Sequence, residues 1–213
     1  MSISNLKKAS LAAGAVAFAA ETAGAAKEKA VDELIVKLKG KDDKVRAEAL
    51  LSAGEIGAPA VKSLAKLIAD KDIEVSRAGK RALWKIVRHT GRPRARDERK
   101  AVVTELTSLL GDDQPTSVRR EVLWMLSEIC GRTSVKPIAE MLSDKELRED
   151  ARMVLERIPG KQSVAALKKG LKAAPEDFKL NIAQSLRKRG EKVRGHACVK
   201  LVPTKKTNVK PLK

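Results

Sequence analysis

Residues 44–57 read KVRAEALLSAGEIG, and degenerate copies of this stretch occur four more times along the chain. The first apolar residues of the five copies lie 30, 43, 29 and 31 positions apart. These residues are Val45, Val75, Val118, Leu147 and Phe178. A repeat of this length is typical of a solenoid, in which each unit buries its apolar face only against neighbouring units.

Each copy follows another segment with helical spacing. In all five units, apolar residues recur at positions i, i+3 and i+7 of the preceding segment, which places them on one face of an α-helix. The first residues of these sets are Val31, Val61, Val103, Val135 and Val164. The sequence therefore predicts an all-α solenoid of about five helix-pair repeats.

The repeats divide the chain into an N-terminal segment, residues 1–26, a repeat domain, residues 27–190, and a basic C-terminal tail, residues 191–213. The predicted units span residues 27–57, 58–100, 101–131, 132–159 and 160–190. The second unit is longer than the others, and its extra length falls mainly at residues 88–99, RHTGRPRARDER. We expect a loop there, because insertions in repeats usually map to loops on a binding face.

Residues 1–26 have the layout of a secretory signal peptide. Lys7 and Lys8 precede a short apolar stretch, LAAGAVAFAA, and Ala-Gly-Ala follows at residues 23–25. This order matches the basic, apolar and small-residue regions of such a signal, and the apolar stretch is too short to span a bilayer. We expect an exported or periplasmic protein whose mature chain begins near Ala26. The alternative is a capping helix of the solenoid in a cytoplasmic protein, because alanine favours helix.

The first unit resembles the short bacterial HEAT repeat, the type named after phycobilisome lyases. The resemblance is carried by Asp42, Val45, Arg46, Ala49, Ala53, Gly54, Ile56 and Gly57, and in weaker form it covers residues 27–190. It implies a right-handed α-α superhelix with the second helix of each pair lining the concave face. It also implies a structural ladder between units, built from turn aspartates and the Arg after the first apolar residue.

A basic residue occupies that ladder position in four of the five units. It is Arg46, Arg119 or Arg148 in three units and Lys179 in the last. The resemblance implies that they belong to the scaffold. The second unit has Ser76 at this position and Arg77 one place later, so Arg77 is available for another role.

The formal net charge of +18 is concentrated in two segments. Residues 77–100 contain 10 Lys and Arg against 2 Asp and Glu, and residues 187–213 contain 10 against 1. A local excess of this kind favours an anionic partner. The C-terminal excess includes a basic patch of Arg187, Lys188, Arg189, Lys192 and Arg194. We expect the tail beyond it to be extended and to steer anionic partners, or to lie over the last repeat.

Four basic residues of the second unit fall on one stripe of its second helix, about 16 Å long at a rise of about 1.5 Å per residue. The stripe consists of Arg77, Arg81, Lys85 and Arg88. The insertion extends it with Arg92, Arg94 and Arg96. We predict that this track binds an acidic protein or another polyanion, mainly through counterion release. The alternative is a solvated surface that contributes only solubility.

Trp84 and Trp124 both lie in second helices. We expect them to fill space in the core or between helices, because large aromatic side chains dominate packing. An exposed Trp beside Arg81 and Lys85 would instead indicate a contact surface.

The sequence gives little support to catalysis. Neither His89 nor His196 is followed by Glu, so the paired ligands of the iron-dependent HEAT hydroxylases are missing. Cys130 and Cys198 have neither paired spacing nor neighbouring ligand residues. GKQS at residues 160–163 lacks the rest of a phosphate-binding loop and indicates a helix boundary. We predict no enzyme, no metal and no cofactor; a lyase role rests on the family name alone.

These observations favour an exported, non-enzymatic scaffold that binds an acidic protein or polyanion through a basic groove and the insertion. The alternative is an intracellular protein that binds the backbone of duplex nucleic acid, as HEAT-like DNA glycosylases do. Single-strand recognition is disfavoured, because no Tyr, two Phe and two Trp cannot form a stacking platform.

Overall fold

The computed structural model describes residues 24–197, and these residues form ten α-helices and no β-strand. The helices are α1 (24–39), α2 (Asp43–Ile56), α3 (Val61–Ile68), α4 (Ile73–Thr90), α5 (Arg96–Ser108), α6 (Thr116–Ile129), α7 (Val135–Glu140), α8 (Arg148–Arg157), α9 (Lys161–Ala173) and α10 (Glu176–Lys188). Short 3-10 turns precede α3 and lie on both sides of α7. The predicted all-α solenoid of about five helix pairs is confirmed. Within the described range, every helix is too short or too polar to cross a membrane.

The helix pairs stack in chain order. Each second helix packs against the next one, from α2 through α4, α6 and α8 to α10, and one apolar core runs through all five units. The aligned apolar residues Val75, Val118, Leu147 and Phe178 are buried in this core. Val45 is 37% exposed, since the first unit has no preceding unit to cover it within the described residues. The repeat pattern thus predicted burial correctly at four of the five aligned positions, and at Val45 it predicted more burial than the structure shows.

Acidic turn residues begin several of the second helices. Asp42 Oδ1 accepts hydrogen bonds from the backbone N–H groups of Lys44 and Val45, at 2.8 and 3.2 Å. Asp72 Oδ1 accepts from the N–H of Glu74 at 2.9 Å. These carboxylates satisfy N–H groups that have no partner inside the helix, and they suit the positive end of its dipole.

The extra residues of the second unit are mostly helical, contrary to the predicted loop. Helix α4 continues to Thr90 and α5 begins at Arg96, so only residues 91–95 are non-helical. Thr90 is buried, and its hydroxyl bonds to two carbonyl oxygens of α4. Arg99 Nε donates to Thr90 O at 3.2 Å, and this hydrogen bond joins α5 to the end of α4. The insertion therefore lengthens two helices and adds one short turn.

The ladder implied by the HEAT resemblance is confirmed at two positions. Arg119 is 7% exposed and pairs with Asp112 of its own turn, at 3.0 Å, and with Asp144 of the next turn, at 3.3 Å. Arg148 pairs with Asp177 of the following turn at 2.6 Å. Its guanidinium also lies 4.8 Å from the ring centroid of Phe178, a cation–π contact. These arginines join the third unit to the fourth and the fourth to the fifth.

At the other three positions, the equivalent side chain stays within its own unit. Arg46 pairs with Asp43, and Lys179 pairs with Glu176. Ser76 Oγ donates to the carbonyl oxygen of Ile68 in the preceding helix, at 2.8 Å. In the third unit the equivalent carbonyl, that of Leu110, accepts from Arg119. At this ladder position the second unit therefore satisfies the carbonyl without a charged link to its neighbour.

We expect Arg119→Met to lower the free energy of unfolding by about 2 kcal/mol, because the side chain is buried and its hydrogen bonds involve charged groups. Urea denaturation monitored by circular dichroism measures the change. The control is Arg77→Met, which removes an exposed Arg from a pair with Glu74 and should cost less than about 1 kcal/mol. Equal losses in the two variants would contradict a linking role for Arg119.

Candidate anion-binding site

Five side chains of α4 line a shallow cavity of about 350 Å³ on the second-helix face. They are Arg77, Lys80, Arg81, Trp84 and Arg88, and we call them the α4 cluster. Residues 77, 81, 84 and 88 share one face because an α-helix has about 3.6 residues per turn. Three residues of the predicted track are therefore brought together, and Lys80 and Trp84 join them.

Trp84 is held in place by the next unit. Its indole Nε1–H donates to Glu121 Oε1 at 2.7 Å, and Lys80 Nζ lies 2.6 Å from Glu121 Oε2. The Glu121 side chain is only 16% exposed. The guanidinium of Arg88 lies 5.7 Å from the Trp84 ring centroid, within the range of a cation–π contact. Two of the lining side chains, Trp84 and Lys80, are thus held by one carboxylate of α6.

The cluster keeps an excess of positive charge. Arg77 pairs with Glu74 at 2.9 Å, but both side chains are more than half exposed, and such pairs are weak. Arg81 and Arg88 are exposed, and neither has an ion pair with any residue between 24 and 197. Two arginines are therefore available to an anionic ligand beside the partly compensated Arg77 and Lys80.

Four residues of the predicted track lie outside this cavity. Lys85 is exposed on α4 and does not line it. Arg92 forms a two-pronged pair with Glu98, at 2.9 and 2.8 Å, and this hydrogen bonding holds the pKa of Glu98 below its usual value of 4.5. Arg94 and Arg96 are exposed and have no ion pair within the described part of the chain. The predicted track is thus the α4 cluster followed by a separate basic region at Arg94 and Arg96. The charge of Arg92 is compensated by Glu98.

Trp124 is 49% exposed, so of its two predicted positions, in the core or between helices, the structure excludes the core. Its Nε1–H donates to Asp150 Oδ1 at 2.7 Å, and Arg120 Nε lies 3.1 Å from the other oxygen of that carboxylate. The same arrangement joins Lys80 and Trp84 to Glu121 one unit earlier. A buried or half-buried indole N–H requires an acceptor, and an acidic residue at the edge of the next helix provides it. A basic residue four positions before each Trp was the sequence signal for this contact.

The basic residues at the C-terminal end of α10 are mostly engaged within the protein. Arg189 donates to the carbonyl oxygens of Glu156, at 3.0 Å, and Gly160, at 3.2 Å, and so caps the end of α8. Lys188 pairs with Glu156 at 2.5 Å, and Arg187 donates to Val193 O at 3.3 Å. In the predicted secondary patch, only Lys192 and Arg194 are exposed without an ion pair inside the described range.

Glu156 is a further anchor of this region. Burial raises its pKa, but hydrogen bonds from Lys188 and Ser185 and the nearby positive charges outweigh burial and hold the pKa below 4.5. The carboxylate therefore stays ionised at neutral pH and keeps its basic partners in place. Glu156, like Glu121 and Asp150 on the earlier second helices, is thus a carboxylate paired with basic side chains of the protein.

Cys130 is half-buried and unpaired among the described residues, and burial raises the pKa of its thiol to about 12. Such a thiol stays protonated at neutral pH and is a poor nucleophile. Cys198 lies outside the described residues. Between residues 24 and 197, no three His, Cys, Asp or Glu side chains are close enough together to hold a metal ion.

No family model matches the sequence, and no curated protein matches it. Among solved structures, the chain is similar to an engineered protein of the Northeast Structural Genomics Consortium, with 23% identity and a TM-score of 0.39 over 74% of this chain and 78% of that one. A second engineered protein of that consortium shares 23% identity with a TM-score of 0.38, and the match covers 74% of this chain but only 46% of that chain. A designed armadillo repeat protein in complex with the peptide (KR)4 shares 17% identity with a TM-score of 0.37, over 74% of this chain and 86% of that chain.

We expect Glu121→Ala to release Trp84, because it removes the acceptor of the indole N–H. In a Trp124→Phe background, Trp84 is the only fluorophore of its kind, so its emission should shift to longer wavelength and its quenching by acrylamide should increase. The matched control is Asp150→Ala in the same background, which removes the equivalent carboxylate one unit later. An identical spectrum in the Glu121 variant would contradict this contact.

Proposed function

We propose that the chain is a non-enzymatic HEAT-type scaffold that binds an acidic segment of a partner protein through the α4 cluster. The observation that carries the proposal is the pair of uncompensated arginines, Arg81 and Arg88, beside the fixed Trp84. Arginine presents a planar fork of N–H donors that fits a carboxylate, and this fit adds geometry to charge.

The size of the cluster favours a short acidic segment over a long polyanion. From Arg77 to Arg88 it extends roughly 16 Å along the helix axis, a length that about five residues of extended peptide would cover. On α6 and α8, the next two second helices, every basic side chain is already in an ion pair. On the neighbouring second helices, Glu121, Asp150 and Glu156 are bound to basic side chains of the protein.

A nucleic-acid duplex that lay across several units would meet these carboxylates and the Lys and Arg side chains that are already paired with them. The counterion release that drives backbone binding of DNA depends on many phosphate contacts at once. Intracellular duplex binding therefore remains the alternative outcome of the binding test, and the charge pattern favours the peptide.

The HEAT assignment is part of the proposal. Its support is the capping of α2 by Asp42 and the contacts of Arg119 and Arg148 with the following turns, which are those that the resemblance implies.

We expect a fluorescein-labelled octaglutamate peptide to bind the protein, with an affinity that falls as salt rises. Arg81→Glu should weaken binding about three- to tenfold, because one favourable contact becomes repulsive at an exposed site. Fluorescence anisotropy at low and physiological salt measures both effects.

The matched control for that experiment is Lys85→Glu, the same charge change on the same helix outside the cavity, with an expected effect of no more than about twofold at physiological salt. Equal losses in the two variants, or binding that does not depend on salt, would contradict the cluster as the site. A short DNA duplex that binds more tightly than octaglutamate at the same salt would favour the alternative function.

Export is a further part of the proposal and rests on residues 1–26. We expect the protein recovered from a bacterial periplasm after expression of the full chain to begin near Ala26, because Ala-Gly-Ala at 23–25 has the form of a cleavage site. Mass spectrometry of the intact protein gives the answer. A recovered cytoplasmic protein that retains Met1 or Ser2 would contradict export.

A further inference from the structure

A groove of about 760 Å³ lies between α7 and α9, the first helices of the fourth and fifth units. We call it the α7/α9 groove. Apolar and small side chains form much of its wall, among them Val135, Ala139, Leu142, Ala166 and Gly170. Pockets that take small ligands have volumes of roughly 300–1,000 Å³ and are mainly apolar with a few polar groups. This groove matches that description.

The sequence explains why the groove is open. Helix α7 has only 6 residues before the chain tightens into a 3-10 turn at Met141–Ser143. On the opposite wall, a Cβ at Gly170 would lie 2.6 Å from Cδ1 of Leu142, so the missing side chain lets Leu142 lie flat against α9. The short α7 leaves a gap beside α9 in which Ala139, Ala166 and Gly170 are half-buried and Ala173 is exposed.

The rim of the groove is basic. Four cationic side chains line it and form no ion pair within the described residues: Arg132, Lys136, Lys145 and Lys169. One carboxylate, Glu140, accompanies them. Arg148 also lines the groove but is already paired with Asp177 at 2.6 Å. An occupant with an apolar body and a negative head would complement both the wall and the rim.

We propose that the α7/α9 groove binds a free long-chain carboxylate. The hydrocarbon chain covers the apolar wall, where burial is favourable in proportion to area. The carboxylate pairs with the rim lysines, whose flexible stems can bring their ammonium groups to it. The site is separate from the α4 cluster, since the two share no residue.

A docked acidic helix fits this groove less well. A helix in a groove uses anchors at i, i+3, i+4 and i+7, which need more than about 10 Å of complementary wall. The α7 wall offers only six residues of regular helix, about 9 Å, so a docked helix would have α9 alone to pack along its whole length. A single flexible chain has no such requirement.

Isothermal titration calorimetry of the whole chain with octanoate, decanoate and dodecanoate, each below its micelle concentration, tests the proposal. We expect affinity to rise about two- to fourfold for each added methylene, the upper value being that of full burial. Decyltrimethylammonium, with the same chain and a positive head, should bind at least tenfold more weakly than decanoate. Equal binding of the two heads, or no binding of any chain, would overturn the proposal.

Matched substitutions on α9 locate the site. Ala173 lines the groove and Ala165 does not, although both are exposed; Ala173→Glu should weaken decanoate binding at least tenfold and Ala165→Glu should leave it unchanged. Likewise Lys169→Glu should weaken binding, and Lys172→Glu, outside the groove, should have little effect. Equal effects within either pair would overturn the assignment.

Two further readings complete the test. Octaglutamate binding should be unaffected by Lys169→Glu, so failure of the carboxylate site and failure of the α4 cluster are separately visible. Circular dichroism of each variant shows that it is folded. A synthetic acidic amphipathic peptide that binds the groove while decanoate does not would overturn the fatty-carboxylate proposal in favour of a protein partner.

Discussion

Burial of apolar side chains between adjacent helix pairs is the interaction on which every other feature of this chain depends. A single pair has an apolar face on each side and cannot cover both by itself. The continuous core therefore exists only in the stack, from Val31 in α1 to Leu186 in α10. Polar contacts between units, such as those of Arg119 and Arg148, fix the position of one pair on the next once burial has brought them together.

The fold was predictable because periodicity reports burial directly. Apolar residues at i, i+3 and i+7 in five segments leave few alternatives to stacked helix pairs, and the aligned residues from Val75 onward are buried. The insertion was mispredicted because the extra length of a repeat was taken to form a loop, as insertions in repeats usually do. In the structure, Thr90 is buried at the end of α4 and its carbonyl is bound by Arg99 of α5, so only residues 91–95 are needed to connect the two helices.

The candidate site was predictable in part. Sequence spacing placed Arg77, Arg81 and Arg88 on one face, but it could not show which charges are compensated across units. Arg189 appeared to be a free cation and is a helix cap, while Arg92 is held by Glu98. Contacts of this kind join residues about 30 positions apart or depend on a turn, and neither is visible in a helical wheel. The α7/α9 groove was not predicted at all, because an empty space has no residue pattern of its own.

The contact of Trp84 with Glu121 ties the α4 cluster, whose five side chains all belong to the second unit, to the third unit. Opening of the contact between α4 and α6 would release Trp84 and Lys80 from Glu121, so a ligand that packs on the fixed Trp84 would bind the closed arrangement more tightly. Such a ligand raises the free energy needed to open this contact by an amount set by its concentration relative to its dissociation constant. In mechanical terms, such a ligand would act as a brace that stiffens the contact between the second and third units.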